Sequence, residues 1–222
     1  MSERSIILRD RDVRAVITGA KTQHRVPVKL RQFHVTDTPG YDFIFRDRRS
    51  LWNDFTTADL LASKFAPYQL GDTLRVRECY ALIWPGEDAP ESDRDCIVEY
   101  RADGEADRLP GRWPPEGRGD PCCPRWRSSS SMPRWASRIT LRVTDVRVER
   151  VQDISEEDAI AEGVTPLTSV VGQPIAGDEH GRTHAAHPHV GALAVLWDGI
   201  YAGAGWAANL WVWALTWEIV DA

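Results

Sequence analysis

Residues 132–151 read MPRWASRITLRVTDVRVERV, and this stretch decides the fold. Ile139, Leu141 and Val143 alternate with Thr140 and Arg142. After Thr144 and Asp145 the apolar positions resume at Val146, Val148 and Val151. A period of two marks a half-buried strand, whose successive side chains face opposite sides of a sheet. The stretch is therefore one long bent strand, or two. At its entrance stand Arg134, Trp135 and Arg138. These form either the aromatic and cationic edge of a ligand site, or a tryptophan lid on the core flanked by solvated arginines.

A second strand is predicted upstream in TLRVRECYAL, from Thr73. Leu74 and Val76 point one way and Arg75 and Arg77 the other, which puts Glu78 on the apolar side. A carboxylate there is costly unless a cation meets it. Lys21 or Arg138 would serve, or the strand end twists outward and Glu78 is solvated. Nearer the N-terminus, Ser5–Leu8 is an apolar run, and Asp10 is placed to cap a helix carrying Val13, Val16 and Ile17 that Gly19 ends. The loop AKTQHR then gathers Lys21, Thr22, His24 and Arg25 just past the helix end, where cations also suit the helix dipole.

The rest divides into elements and polar insertions. Residues 33–52 are mixed and turn-rich, and Thr57–Phe65 reads as a short helix. EEDAIAEG is an acidic helix capped by Ser155 and stopped by Gly163, and Val190, Leu193, Leu196, Trp197 and Tyr201 have helical spacing. NLWVWALTWEIV closes the chain as a strand, with Trp211, Trp213 and Leu215 on one face and Val212 on the other. Strands with short helices at both ends predict an α+β fold, a small β-barrel decorated with helices, spanning residues 1–222 as one domain.

Two insertions interrupt it. Residues 85–133 are rich in Pro, Gly, Asp and Arg and hold one short hairpin around Ile97–Arg101. Trp113 and Trp126 sit there beside arginines, a pattern that suits either stacking on bases or pinning a loop. Residues 164–189 form a polar loop containing His180, His184, His187 and His189. Metal ligands need rigid elements to hold them, which this loop lacks, so neither a metal nor another cofactor is expected.

The net charge of −6 argues against a protein that coats nucleic acid nonspecifically. The distribution is uneven, however: residues 1–32 hold eight Lys and Arg against three acids, and residues 151–222 hold one Arg against ten acids. A local anionic-ligand site survives the acidic total. No run approaches the ~20 apolar residues of a membrane span, so no membrane partner is expected. Cys79, Cys96, Cys122 and Cys123 lack CxxC spacing, which fits reduced thiols and a cytoplasmic location.

The order of motifs carries a family likeness. GAKTQHR after an N-terminal helix, then YQLGDTLRVRE, then MPRWASRITLRVTDVRVERVQDISEEDAIAEG, then a Trp-Asp helix and an aromatic strand resemble the ASCH domain of the PUA-like superfamily. The nearest likeness is to the long ASCH proteins of bacteriophages and prophages. The resemblance implies a PUA-like barrel with a cleft, binding of RNA or of modified bases, and, in some small members, hydrolysis of N4-acetylcytidine. The family motif is Gly-x-Lys-x-x-Thr-x-Arg. Gly19 and Lys21 match it; His24 stands for the Thr and Val26 for the Arg, with Arg25 one position early. Aligning the strand that carries the family's catalytic glutamate with TLRVTDV puts Arg142 at that position, so only the lysine of the catalytic set matches.

The functional expectation is a nucleic-acid-binding protein whose ligand is RNA, single-stranded DNA or a modified nucleotide, with a cleft of Lys21, His24, Arg25, Glu78, Trp135 and Arg138. The alternative is a hydrolase of an acylated cytosine nucleoside or of RNA, using Lys21 with Glu78 or His24. A third reading is a phage accessory protein whose acidic C-terminal half binds another protein.

Overall fold

The computed structural model describes residues 3–83, 96–109, 125–166, 187–201 and 205–221. Trp113, Cys122, Cys123, His180 and His184 lie outside them, with most of the 164–189 loop. The chain forms two compact units: Met1–Thr18, Thr73–Arg142 and Ile219–Ala222 make the first, and Gly19–Asp72 with Val143–Glu218 the second. The fold is α+β and mostly sheet.

The first unit contains β1 (Glu3–Ile7), helix α1 (Asp10–Ile17), β6 (Thr73–Arg77), β7 (Tyr80–Ile83), β8 (Cys96–Tyr100), β9 (Ala106–Leu109) and the start of β10 (Thr140–Arg150). β1 runs parallel to β6, pairing Ile6 with Val76, and β6 runs antiparallel to β10, pairing Leu74 with Leu141. Leu74, Val76, Ile139 and Leu141 are buried, as their period-two spacing requires. β7, β8 and β9 form a separate antiparallel sheet. Its Tyr80, Leu82, Val98 and Tyr100 pack with Met132 and Ala136, and partly buried Trp135 rests against this cluster. Trp135 is thus the lid on a core.

The second unit contains β2 (Gln23–Pro27), β3 (Arg31–Val35), β4 (Phe43–Arg46), β5 (Trp52–Phe55), α2 (Thr57–Ala62), the remainder of β10, α3 (Glu156–Ala161), α4 (Pro188–Ile200) and most of β11 (Trp211–Asp221). β11 lies between β10 and β2. Val212, Trp213, Ala214, Leu215 and Trp217 are all buried, so β11 is covered on both faces from Val212 to Leu215, while its end from Glu218 to Asp221 is exposed. α3 and α4 pack through Ala159, Val190, Leu193 and Trp197. Ser155 caps α3 by accepting from the Asp158 N–H at 3.1 Å. Glu156 receives the N–H groups of His189 and Val190 at the start of α4. Backbone and ring hydrogen bonds from His189 hold the Glu156 carboxyl below its ordinary value, against the upward push of burial.

Residues 31–55, turn-rich in sequence, form a three-stranded antiparallel sheet, β3-β4-β5. Phe43 and Phe45 point inward: Phe33 and Phe43 meet the ring of Trp211, while Phe45, Phe55 and Phe65 pack together. Such aromatic pairs contribute about 0.5–1.5 kcal/mol each beyond area burial. The opposite face of β4 and β5 carries Arg46 beside Trp52.

Among the described residues the strands form open sheets, and no barrel closes. The physical reason is that β3-β4-β5 and β7-β8-β9 are built as separate three-stranded sheets instead of joining one continuous ladder. Among the same residues, no helix is long and apolar enough to cross a membrane, and no group of His, Cys, Asp or Glu side chains is arranged to hold a metal ion.

Candidate functional site

Gly19 turns the chain with a φ of 74°, a conformation that glycine reaches without a Cβ penalty, and Lys21 follows in a narrow slot. Thr22 N–H donates to the Ala161 carbonyl at 2.8 Å, Trp217 N–H donates to the Thr22 carbonyl at 3.0 Å, and the Trp217 indole N–H donates to the Lys21 carbonyl at 3.3 Å. Segment 21–22 is therefore held on one side by the end of α3 and on the other by β11. The side chain of Lys21 is 2% exposed, and its Nζ donates to Oε2 of Glu162 at 2.5 Å and to the Glu162 carbonyl at 2.8 Å.

Arg25, from the middle of β2, extends the network. Its guanidinium contacts Glu149 at 2.8 Å, Asp158 at 3.0 Å and Glu162 at 3.2 Å, and it is 1% exposed. Asp158 also accepts from Gln23 at 2.7 Å and Arg147 at 3.0 Å. Three cations, Lys21, Arg25 and Arg147, thus interleave with three carboxylates, Glu149, Asp158 and Glu162. Buried charges are tolerated when paired and hydrogen-bonded in this way. Burial alone would raise the Glu162 carboxyl, but Lys21, with His24 and Arg25, outweighs it and holds the group well below the ordinary carboxylate range. His24 is the partly exposed member, with Nδ1 at 3.8 Å from Glu162 Oε2 and its ring tilted against Trp217.

The other predicted residues belong to the first unit. Glu78 is 1% exposed and takes a bidentate contact from Arg138 at 3.0 and 3.1 Å. Arg138 also bonds Asp103 at 2.9 Å and lies over the Tyr100 ring, 3.9 Å from its centroid. Tyr100 donates its hydroxyl proton to Asp107 and to the Ala136 carbonyl. Burial of Glu78, only partly offset by Arg138, raises its carboxyl above the ordinary value. Of the two partners expected for Glu78, the structure selects Arg138.

These positions correct the expected phosphate contacts. Lys21, Arg25 and Arg138 have carboxylate partners and little solvent access, so they lock the fold rather than present charge. Arg142, aligned with the family's acid, is exposed on β10, and the acid beside Lys21 comes from the end of a helix, Glu162. One signal for the network was present in sequence: Asp145, Arg147 and Glu149 alternate along one face of a strand.

Compared with known protein families, curated proteins and solved structures, the chain matches none of them. The candidate site therefore rests on the geometry of this chain.

The cationic surface lies elsewhere in the second unit. A cavity of about 750 Å³ is lined by Lys29, Arg31, Arg46, Arg48, Arg49 and Lys64 together with Phe45, Leu51 and Phe65. An adjoining cleft of about 350 Å³ shares Arg31, Arg46 and Asp47 with it. Among the described residues, none of the six cations is paired with a carboxylate. Asp47 is the acid in this lining, and its Oδ1 accepts from the N–H groups of Arg49 and Leu51, so it shapes the turn. The sequence signal for this groove was RDRRS, residues 46–50, between two short aromatic strands.

Proposed function

We propose that this protein binds nucleic acid, RNA or DNA, through the cationic groove of its second unit. The observation that carries the reading is the contrast between two sets of cations. Lys21, Arg25 and Arg138 are neutralised by carboxylates, whereas Lys29, Arg31, Arg46, Arg48, Arg49 and Lys64 line one cavity without such partners among the described residues. Clustered unpaired cations raise the local concentration of a polyanion and release its counterions on binding. The reading shares its ligand class, though not its site, with the resemblance of GAKTQHR and the later motifs to ASCH domains, and a PUA-like architecture is part of the same proposal.

Titrating labelled oligonucleotides at several salt concentrations tests it. Log affinity should fall linearly with log salt. Arg48→Glu/Arg49→Glu, placed in an exposed turn, should weaken binding and flatten that line by roughly 0.7 for each phosphate of a single strand that the variant no longer neutralises. Equal affinity and equal slope in the variant would exclude the groove as the binding surface.

A further inference from the structure

Resting on the nucleic-acid reading of the groove, we infer that the outer face of the β3-β4-β5 sheet takes an unpaired base on Trp52, making single-stranded nucleic acid the substrate class. The sheet has two unlike faces. Its inner face is filled by Phe43 and Phe45 and their aromatic partners, and its outer face carries Trp52 at 49% exposure. The Arg46 guanidinium lies over one face of this half-exposed indole, so the base would take the opposite face.

The neighbours of Trp52 suit a nucleotide. Arg46, its cross-strand partner, places its guanidinium carbon 5.5 Å from the ring centroid. The His34 ring lies 5.9 Å from the indole at 80°, an edge-to-face contact that helps to orient it. Arg31 pairs across from Arg46 on the other side, and both line the adjoining cleft. A base stacked on Trp52 would thus have its phosphates beside Arg31 and Arg46, the combination of aromatic platform and cationic track that single strands use. A duplex keeps its bases stacked inside and cannot offer one to this face. An acidic peptide would satisfy the cations but brings no aromatic ring to stack on the indole.

The strands themselves set the scale. β4 and β5 have four residues each, and at ~3.3 Å per residue they span roughly 13 Å, room for about two nucleotides. The site therefore reads one or two bases, with further phosphates following the groove toward Arg48 and Arg49.

Fluorescence anisotropy on the full chain tests this with labelled oligo-dT and oligo-U of about 15 nucleotides, a duplex of equal length, and polyglutamate as competitor. Wild type should prefer the single strands. Trp52→Ala should weaken them roughly ten- to a hundred-fold while leaving duplex affinity in place, and Trp52→Phe should retain most of the affinity. Unchanged single-strand affinity in Trp52→Ala, with the fold confirmed by its melting temperature, overturns the stacking inference and leaves the groove reading standing. Polyglutamate displacing the oligonucleotide at equal charge overturns the assignment to a base. Wild type binding neither strand nor duplex overturns the groove reading itself.

Discussion

The Nζ of Lys21 lies 2.5 Å from Oε2 of Glu162, and both side chains are buried. This pair joins a segment just after a glycine turn to the last turn of α3, and Arg25 ties the same carboxylate to β2. A buried pair of this kind contributes little over a well-packed apolar replacement, but removing one partner strips the other of its closest counter-charge. The ligand-facing role expected of Lys21 thus gives way to an architectural one.

Removing one partner should therefore be far worse than removing both. Lys21→Met and Glu162→Gln should each lower stability by about 3–5 kcal/mol, and Lys21→Met/Glu162→Leu should recover most of the loss. Urea midpoints of the four proteins read this directly. The double variant should also bind oligonucleotide as wild type does, since its groove is intact; a large loss there would return Lys21 to the ligand site.

Acid should weaken the second unit through the same carboxylates. The Glu162 and Asp158 carboxyls are held below their ordinary values in the folded chain: for both, burial pushes upward and is outweighed, by Lys21 at Glu162 and by Gln23 and Arg147 at Asp158. A depressed carboxyl contributes stability that is present above its unfolded pKa and lost as pH falls toward its folded one. Stability should accordingly decline below about pH 4.5, the ordinary value for a glutamate. Urea midpoints measured between pH 3 and 7 should show this acid limb, and it should be shallower in Lys21→Met/Glu162→Leu. Glu78 acts with the opposite sign: its raised carboxyl favours the folded chain when protonated, so its contribution falls as pH rises above the ordinary glutamate value.

Arg138 should resist conservative replacement. It holds both oxygens of Glu78, contacts Asp103 and covers Tyr100. Arg138→Ala should be destabilised by about 3–5 kcal/mol because Glu78 is left buried without its partner. Arg138→Lys keeps the charge but loses the fork and the flat stack, and should recover only part of that stability. Denaturation midpoints of both variants check the ranking; a lysine variant equal to wild type would show that charge alone matters.

Much of the framework was legible along the chain. The alternation in 132–151, the closing strand at 211–221, the Ser155 cap, and the glycine stops at Gly19 and Gly163 are local signals, because backbone geometry and nearest-neighbour sterics operate over a few residues. The period-two pattern put Glu78 on the apolar side, and of burial or a strand end twisted outward the structure has burial. Which cation would meet it did not, because that depends on β6 and the entrance to β10 being brought side by side.

The division of the cations was decided by tertiary structure alone. Lys21, Arg25 and Arg138 are adjacent to aromatic or apolar sequence and look like ligand contacts, yet folding brings Glu162, Glu149 and Glu78 to them across long stretches of chain. The arginines of RDRRS look like an ordinary solvated turn, yet folding of the 31–55 segment collects them with Lys29 and Lys64 around one cavity. A sequence states how many charges of each sign a protein carries; only the three-dimensional pairing of residues distant along the chain decides which remain unneutralised at the surface.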